Sequence, residues 1–175
     1  MKLKNIFNYY GLLAIFLYLT LIFGFYIDEN LNFGAIGDWK LTDFPVINDL
    51  SINIKKTLQN YESYGHRHSP IYLIFLSLFK KIGLSIENIR FLHLNLSLFL
   101  IFFFYKCLIL RFDKIEKNLL LLLSLSIFLS PTFRSLAIWP SSRLIGLIFF
   151  LISIYEFLKY LKKKKELIYG KMLSF

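Results

Sequence analysis

Long apolar runs recur along the whole of this chain, and basic residues flank most of them. The first, over residues 5–27, carries no charged side chain, and a membrane-spanning helix needs about 20 mostly apolar residues. Further runs follow at 91–110, 118–133 and 144–155. Hydrophobic residues make up 57% of the 175 positions, more than a soluble domain of this size can bury. The pattern predicts an all-α, polytopic membrane protein and excludes a soluble enzyme, a disordered chain and a disulfide scaffold.

The net charge of +10 would favour a nucleic-acid partner if the chain were soluble. Here the lysines and arginines stand mostly at the ends of the apolar runs, which is typical of the cytoplasmic loops of membrane proteins. We therefore expect the lipid bilayer to surround this chain and expect no nucleic acid. A composition rich in Lys, Ile, Phe and Asn favours a bacterial inner (plasma) membrane. The single cysteine, Cys107, has no partner for a disulfide.

The predicted architecture is a single membrane domain with about four transmembrane helices. The apolar segment that follows residue 69 is short for a span, and four spans leave more basic residues on the cytoplasmic side than five. We therefore expect both termini in the cytoplasm and the turn 131–143 on the outer side. The predicted segments of the domain 1–175 are a first span 1–27, an outer loop 28–89 with an amphipathic helix 47–61 and a short apolar, juxtamembrane or re-entrant helix 69–82, further spans 90–110, 118–133 and 143–161, and a basic cytoplasmic tail 162–175.

The helix predicted over residues 47–61 has one apolar face. Ile47, Leu50, Ile54 and Leu58 recur at helical spacing, while Lys55 and Lys56 lie elsewhere on the helix. A helix of this kind is expected to lie along a surface, which here is the membrane interface.

Most of the acidic residues lie early in the first predicted loop. Asp28 and Glu29 directly follow a span, where charged residues commonly mark the interface. Asp38 and Asp43 come later and have two possible roles, as solvated loop residues or as carboxylates that accept a proton from an attacking hydroxyl group. Of the eleven acidic residues in the chain, six lie within residues 28–69: Asp28, Glu29, Asp38, Asp43, Asp49 and Glu62.

The sequence His66-Arg67-His68 precedes a helix that we expect to begin near Pro70. Cationic groups beside the free N–H groups of a helix start can bind a phosphate. Two histidines separated by one residue can also share a metal ion, but a third ligand must then come from elsewhere. Ordinary polarity at the membrane interface explains the same residues, so the three alternatives stay open.

Arg134 and Arg143 flank the second predicted outer turn, with Trp139 between them. They are either interfacial anchors or guanidinium clamps on a phosphate headgroup. Arg90 and His93, at the start of a span, are expected to pack against the helices of the outer loop rather than to act in catalysis.

Two stretches resemble the membrane glycosyltransferases of the GT-C superfamily, most closely the protein mannosyltransferase and lipid A aminoarabinose transferase group. In residues 68–110, His68 and Pro70 begin a Tyr/Leu-rich helix that ends at Gly83, and a span that begins with Arg90 then closes on basic residues. The later stretch FLSPTFRSLAIWPSSRL has a proline near the end of one span and a polar turn that leads into the next. The likeness covers the N-terminal part of such an enzyme, whose members usually have many more spans.

The resemblance implies transfer of a sugar from a polyprenyl-phosphate-linked donor to an acceptor at the outer face of the membrane. An aspartate of the first outer loop then acts as the catalytic base or helps to hold a metal, and the candidates are Asp38 first and Asp43 second. His68 takes the place of the basic residue that contacts the lipid phosphate, and Arg67, Arg134 and Arg143 are expected to bind phosphate with it. The acceptor and the cofactor are unknown, although a divalent metal is possible.

The family usually has a second acidic residue where this chain has Trp139-Pro140-Ser141-Ser142-Arg143. Its absence argues against independent catalysis. Because the family's remaining helices complete the donor groove, we predict that the chain is inactive alone, as a truncated transferase or as one that needs a second polypeptide for those helices. The alternative is a small accessory or flippase-type protein of lipid-linked sugar metabolism without catalysis. A structural membrane protein whose acidic loop binds a partner is a further possibility.

Overall fold

The computed structural model describes residues 2–31, 33–66 and 69–172. Within these ranges the chain is helical and forms no strand, which confirms the all-α prediction. The helices are α1 (Lys2–Tyr26), α2 (Phe33–Asp38), α3 (Phe44–Ile52), α4 (Ile54–Gln59), α5 (Ile71–Lys81), α6 (Ile86–Arg111), α7 (Lys117–Leu125), α8 (Pro131–Ile138) and α9 (Ser142–Met172), with a π-helical turn at Trp39–Asp43 and 3₁₀ turns at Tyr61–Tyr64 and Ser126–Leu129.

Three of the described helices are long and apolar enough to cross a membrane: α1 over Tyr9–Tyr26, α6, and α9 over Ser142–Lys164. A fourth span exists only if Lys117–Leu129 and Pro131–Ile138 count as one, and these two segments meet at an angle of 67°. Helix α5 has 11 residues and is about 17 Å long, which is shorter than the hydrocarbon core of a bilayer.

The span expected over residues 118–133 stays a prediction: the segment is apolar enough to cross a membrane together with α8, but it bends before Pro131. Ser130 adopts an extended conformation, and its hydroxyl accepts a hydrogen bond from the backbone N–H of Phe133 at 3.3 Å. A proline at the first helical position has no N–H to satisfy and disfavours helical geometry in the residue before it. Local sequence chemistry thus ends one helix at this point and begins another.

The single amphipathic helix expected over residues 47–61 is wrong. Asn53 is extended, with φ −150° and ψ 93°, and its side chain caps α4 by accepting from the N–H of Lys56 at 3.0 Å. Helix α3 packs on α5, so Ile47 and Leu50 are fully buried within the protein, while Leu58 on α4 is exposed. The α3 part of the predicted apolar face therefore contacts the protein core, and the α4 part is not buried in the same way.

The tail expected over residues 162–175 is helical as far as Met172, because α9 continues through the lysine cluster. Helix α6 begins at Ile86, earlier than the predicted residue 90, and Ser85 caps it by accepting from the N–H of Asn88 at 3.2 Å.

Helices α6 and α9 run in the same direction. The guanidinium of Arg90, near the start of α6, lies 3.9 Å from the ring centroid of Trp139, just before α9. Further along, the rings of Phe103 and Tyr155 are 6.0 Å apart, and Arg111 shares a cavity with Lys162. The bundle consequently has one end where α1 finishes and α6 and α9 begin, called the acidic end because most of the acidic residues of the chain lie there beside basic ones, and a basic end, where α6 finishes and α7 begins.

Candidate functional site

A polar pocket of about 190 Å³ lies at the acidic end of the bundle. Three separate parts of the chain form it: the segment from α2 to α3, the residues that follow the 3₁₀ turn at Tyr61–Tyr64, and the connection between α8 and α9. Its lining residues are Ala35, Asp38, Thr42, Asp43, Gly65, His66, Leu136, Pro140, Ser141, Ser142 and Arg143.

The π-helical turn brings both predicted carboxylates to this pocket. The N–H of Phe44 donates to the carbonyl of Trp39, five residues earlier, which widens the helix locally. Trp39 is buried and anchors the turn in the core. Five residues apart on a regular α-helix, Asp38 and Asp43 would point about 140° from each other. On this wider turn they line the same cavity.

Asp43 is buried, and its carboxylate accepts a hydrogen bond from Nε2 of His66. Because a carboxylate only accepts, Nε2 carries the proton, and Nδ1 of a neutral ring accepts from the hydroxyl of Tyr61 at 2.8 Å. Burial, together with the negative charge of Asp43, raises the pKa of Tyr61 to about 12. Tyr61 therefore stays protonated at neutral pH, and the Tyr61–His66–Asp43 chain holds the carboxylate in one orientation.

Asp38 and Arg143 face each other across the mouth of the pocket. Oδ2 of Asp38 lies 3.1 Å from a guanidinium nitrogen of Arg143, and both side chains are about half exposed. An exposed ion pair of this kind contributes only about 0–1 kcal/mol. A ligand phosphate can therefore compete with Asp38 for the Arg143 guanidinium at little cost.

An apolar groove of about 740 Å³ lies beside the pocket, between α5, α6 and α9. Aromatic side chains contribute much of its wall: Tyr72, Phe75, Phe99, Phe103 and Phe149. Ser142 and Arg143 line both the groove and the polar pocket. An arginine thus stands where an apolar cavity meets a cavity that contains carboxylates.

Arg134, predicted to bind phosphate, lies away from this pocket. Its guanidinium donates to both carboxylate oxygens of Glu29, at 2.5 and 2.6 Å, and to the carbonyl of Thr20 at 2.9 Å. Both side chains of this pair are largely buried, so Arg134 ties α8 to the end of α1. Arg67 and His68, the other two predicted phosphate ligands, lie outside the described residues.

Arg90 and His93 are packed inside the bundle, and His93 contacts α5 of the predicted outer loop as expected, whereas Arg90 packs against the end of α1 and Trp139. Arg90 lies 4.9 Å from the ring centroid of Phe25 and donates to Asp28 at 2.7 Å. His93 is fully buried, donates through Nε2 to the carbonyl of Leu136 at 2.8 Å, and bonds the hydroxyl of Tyr72 through Nδ1. Because Leu136 lines the polar pocket, His93 fixes one wall of it.

Two members of the site were not predicted as such. In the sequence, His66 is recognisable only as part of the His66-Arg67-His68 motif, and Tyr61 only as the last residue of an expected helix. His66 follows Asp43 by 23 residues, a separation at which no spacing rule predicts contact. Asn53 is the residue from which the contact could have been anticipated, because asparagine is favoured at the start of a helix. A new helix that begins at this point changes the direction of the chain before His66.

Within the described ranges, no group of three or more histidine, cysteine, aspartate or glutamate side chains is placed to hold a metal ion. Comparison with family models, with curated proteins and with solved structures finds no match to this chain. The chemistry of the pocket and of the adjoining groove is therefore the basis for assigning a function.

Proposed function

We propose that this chain acts as a membrane glycosyltransferase of the GT-C type, or as the N-terminal part of one. It would transfer a sugar from a polyprenyl-phosphate donor to an acceptor at the outer face of the membrane. The observation that carries the proposal is the position of Arg143, which lines both the carboxylate pocket and the apolar groove. A polyprenyl-phosphate sugar has matching parts in the same order: an apolar chain, an anionic phosphate and a polar sugar.

The groove supplies the surroundings that a polyprenyl chain needs. Its aromatic and aliphatic walls exclude water from isoprene units, and burial of apolar surface contributes roughly 25 cal/mol per Å². The guanidinium of Arg143 at the junction can donate two parallel hydrogen bonds to a phosphate, which a lysine cannot do. The phosphate would displace the Asp38 carboxylate from Arg143 and leave Asp38 beside the sugar.

Asp43 is the residue best placed to act as the general base. An acceptor hydroxyl would give its proton to the Asp43 carboxylate as its oxygen bonds to the sugar carbon. The bond between that carbon and the phosphate oxygen would break, and polyprenyl phosphate would leave with the electron pair. His66 and Tyr61 are positioning residues, because they hold the carboxylate by hydrogen bonds and need not touch the sugar.

The test uses native membranes that contain the full chain together with any second polypeptide that it needs, with undecaprenyl-phosphate mannose as donor and released undecaprenyl phosphate as the readout. We expect Asp43→Asn to lower the release rate by about 10²–10⁴-fold, because the base is lost. Arg143→Gln is expected to weaken donor use as well. The matched controls are Asp49→Asn, an exposed carboxylate outside the pocket, and Lys117→Gln at the basic end.

Donor release that is equal in wild type and Asp43→Asn would contradict the transferase and favour the flippase-type alternative. A protein that only moves lipid-linked sugars across the bilayer needs no proton acceptor, so it would tolerate that substitution. Thermal unfolding of each variant in detergent separates loss of the base from loss of the fold.

A further inference from the structure

A second cavity with cationic walls lies at the basic end of the bundle, between the end of α6 and the second half of α9. Its volume is about 470 Å³. Arg111 is the last residue of α6, a helix of 26 residues and about 39 Å that begins at the acidic end. This cavity is therefore far from the carboxylate pocket and plays no part in the function proposed above. Its walls combine three leucines with four charged residues: Leu110, Leu158 and Leu161, and Arg111, Asp113, Lys162 and Lys164.

Charge and apolar surface in this cavity together define one class of ligand. Three cationic side chains face one carboxylate, so the walls carry a net charge of +2 and favour an anion. Arg111 can bind a phosphate by two parallel hydrogen bonds, and the lysines add point charges. A free phosphate would use these groups alone. The leucines add apolar contact that only a phosphate attached to acyl chains can exploit.

We propose that this cavity binds the phosphate headgroup of an anionic phospholipid, with the upper part of an acyl chain against the leucines. The ends of α6 and α9 contribute together, so the bound lipid would hold the two helices at the basic end. Basic pockets between helices at the cytoplasmic surface of membrane proteins bind anionic lipids by the same combination of forces. Lysines also bind a negatively charged membrane surface without a specific site. That non-specific binding depends on the number of lysines and not on which of them line the cavity.

The experiment measures retained lipid by native mass spectrometry of the full chain, purified in detergent. The probes are phosphatidylglycerol, phosphatidylcholine with the same acyl chains, and sn-glycerol 3-phosphate as a phosphate without acyl chains. The test variant is the double substitution Arg111→Gln and Lys162→Gln, both in the cavity wall. The matched control is the double substitution Lys114→Gln and Lys163→Gln, which removes the same charge from the same end outside the wall.

Phosphatidylglycerol is expected to bind more tightly than phosphatidylcholine, and roughly 30-fold less tightly to the test variant than to wild type. The control variant is expected to retain nearly wild-type binding, and Asp113→Asn to bind more tightly because the opposing carboxylate is gone. Equal loss in the test and control variants would overturn the site in favour of non-specific binding. Binding of sn-glycerol 3-phosphate as tight as that of the lipid would overturn the lipid as its ligand.

Discussion

Arginines that are alike in sequence context have different surroundings in the folded chain. Arg134 and its partner Glu29 are both largely buried. Arg90 is buried among aromatic rings although its partner Asp28 is more than half exposed, whereas Arg143 is half exposed beside Asp38. Removing one partner of a buried pair typically costs 3–5 kcal/mol, because the other charge stays buried. Burial therefore assigns Arg90 and Arg134 to the integrity of the fold and leaves Arg143 for a ligand.

A substitution at Gly24 can test how closely the Glu29–Arg134 pair packs against α1. A Cβ at position 24 would collide with the Glu29 carboxylate and lie 2.9 Å from a guanidinium nitrogen of Arg134, so we expect Gly24→Ala to destabilise the fold by about 1–3 kcal/mol. Gly11 on the same helix has open space around it, so Gly11→Ala is the matched control, with an expected gain of about 0.5–1 kcal/mol. Thermal unfolding in detergent measures both, and a Gly24→Ala variant as stable as Gly11→Ala would contradict the packing described.

At the scale of elements, short breaks position the site more than the long helices do. The extended residue Asn53 ends α3 and begins α4, and the chain then returns so that His66 reaches Asp43. Ser130 and Pro131 similarly turn α8 away from α7, which brings Leu136 to the pocket. Helices that ran straight through these points would leave the pocket without two of its walls.

The cap of α4 can be tested by Asn53→Ala. We expect this substitution to lower the free energy of unfolding by about 1 kcal/mol, because the N–H of Lys56 loses its acceptor. Asn60 precedes the 3₁₀ turn at Tyr61–Tyr64 but makes no capping bond with its side chain, which makes Asn60→Ala the control. Denaturant unfolding in detergent gives both values, and a similar loss in the two variants would rule out a specific role for the Asn53 cap.

At the scale of the whole molecule, the two ends of the bundle differ in charge. The acidic end carries Asp28, Glu29, Asp38 and Asp43 together with arginines and lysines, while at the basic end Arg111, Lys114, Lys117 and the lysines 162–164 of α9 outnumber the acidic residues. Cytoplasmic loops of membrane proteins hold an excess of lysine and arginine. We therefore predict that the basic end faces the cytoplasm and that the carboxylate pocket faces outward.

This orientation can be tested by cysteine labelling of intact cells in a Cys107→Ser background. Leu41 is exposed beside the carboxylate pocket, and Lys114 is exposed at the basic end. A membrane-impermeant maleimide is expected to label Leu41→Cys in intact cells but to label Lys114→Cys only after permeabilisation. The reverse pattern would mean that the pocket opens to the cytoplasm.

The sequence patterns predicted which carboxylates would be site residues, but they did not predict which side chains hydrogen-bond to those carboxylates. Asp38, Asp43 and Arg143 were all predicted as site residues, and they line one cavity. The bond between His66 and Asp43 was not predicted, and Arg134 was expected at phosphate but binds Glu29. Charge and position relative to a span are visible in a sequence, whereas the partner of a charged group is not.

The sequence by itself determined that this chain is helical, is apolar enough for a membrane and has most of its acidic residues in one loop, because helix hydrogen bonds join near neighbours and hydropathy needs no partner. Only the tertiary structure decided which charges meet. Arg134 binds a glutamate 105 residues away, and Arg90 binds an aspartate 62 residues away. Such pairs depend on how helices pack, and that packing is what leaves Arg143 between a carboxylate pocket and an apolar groove.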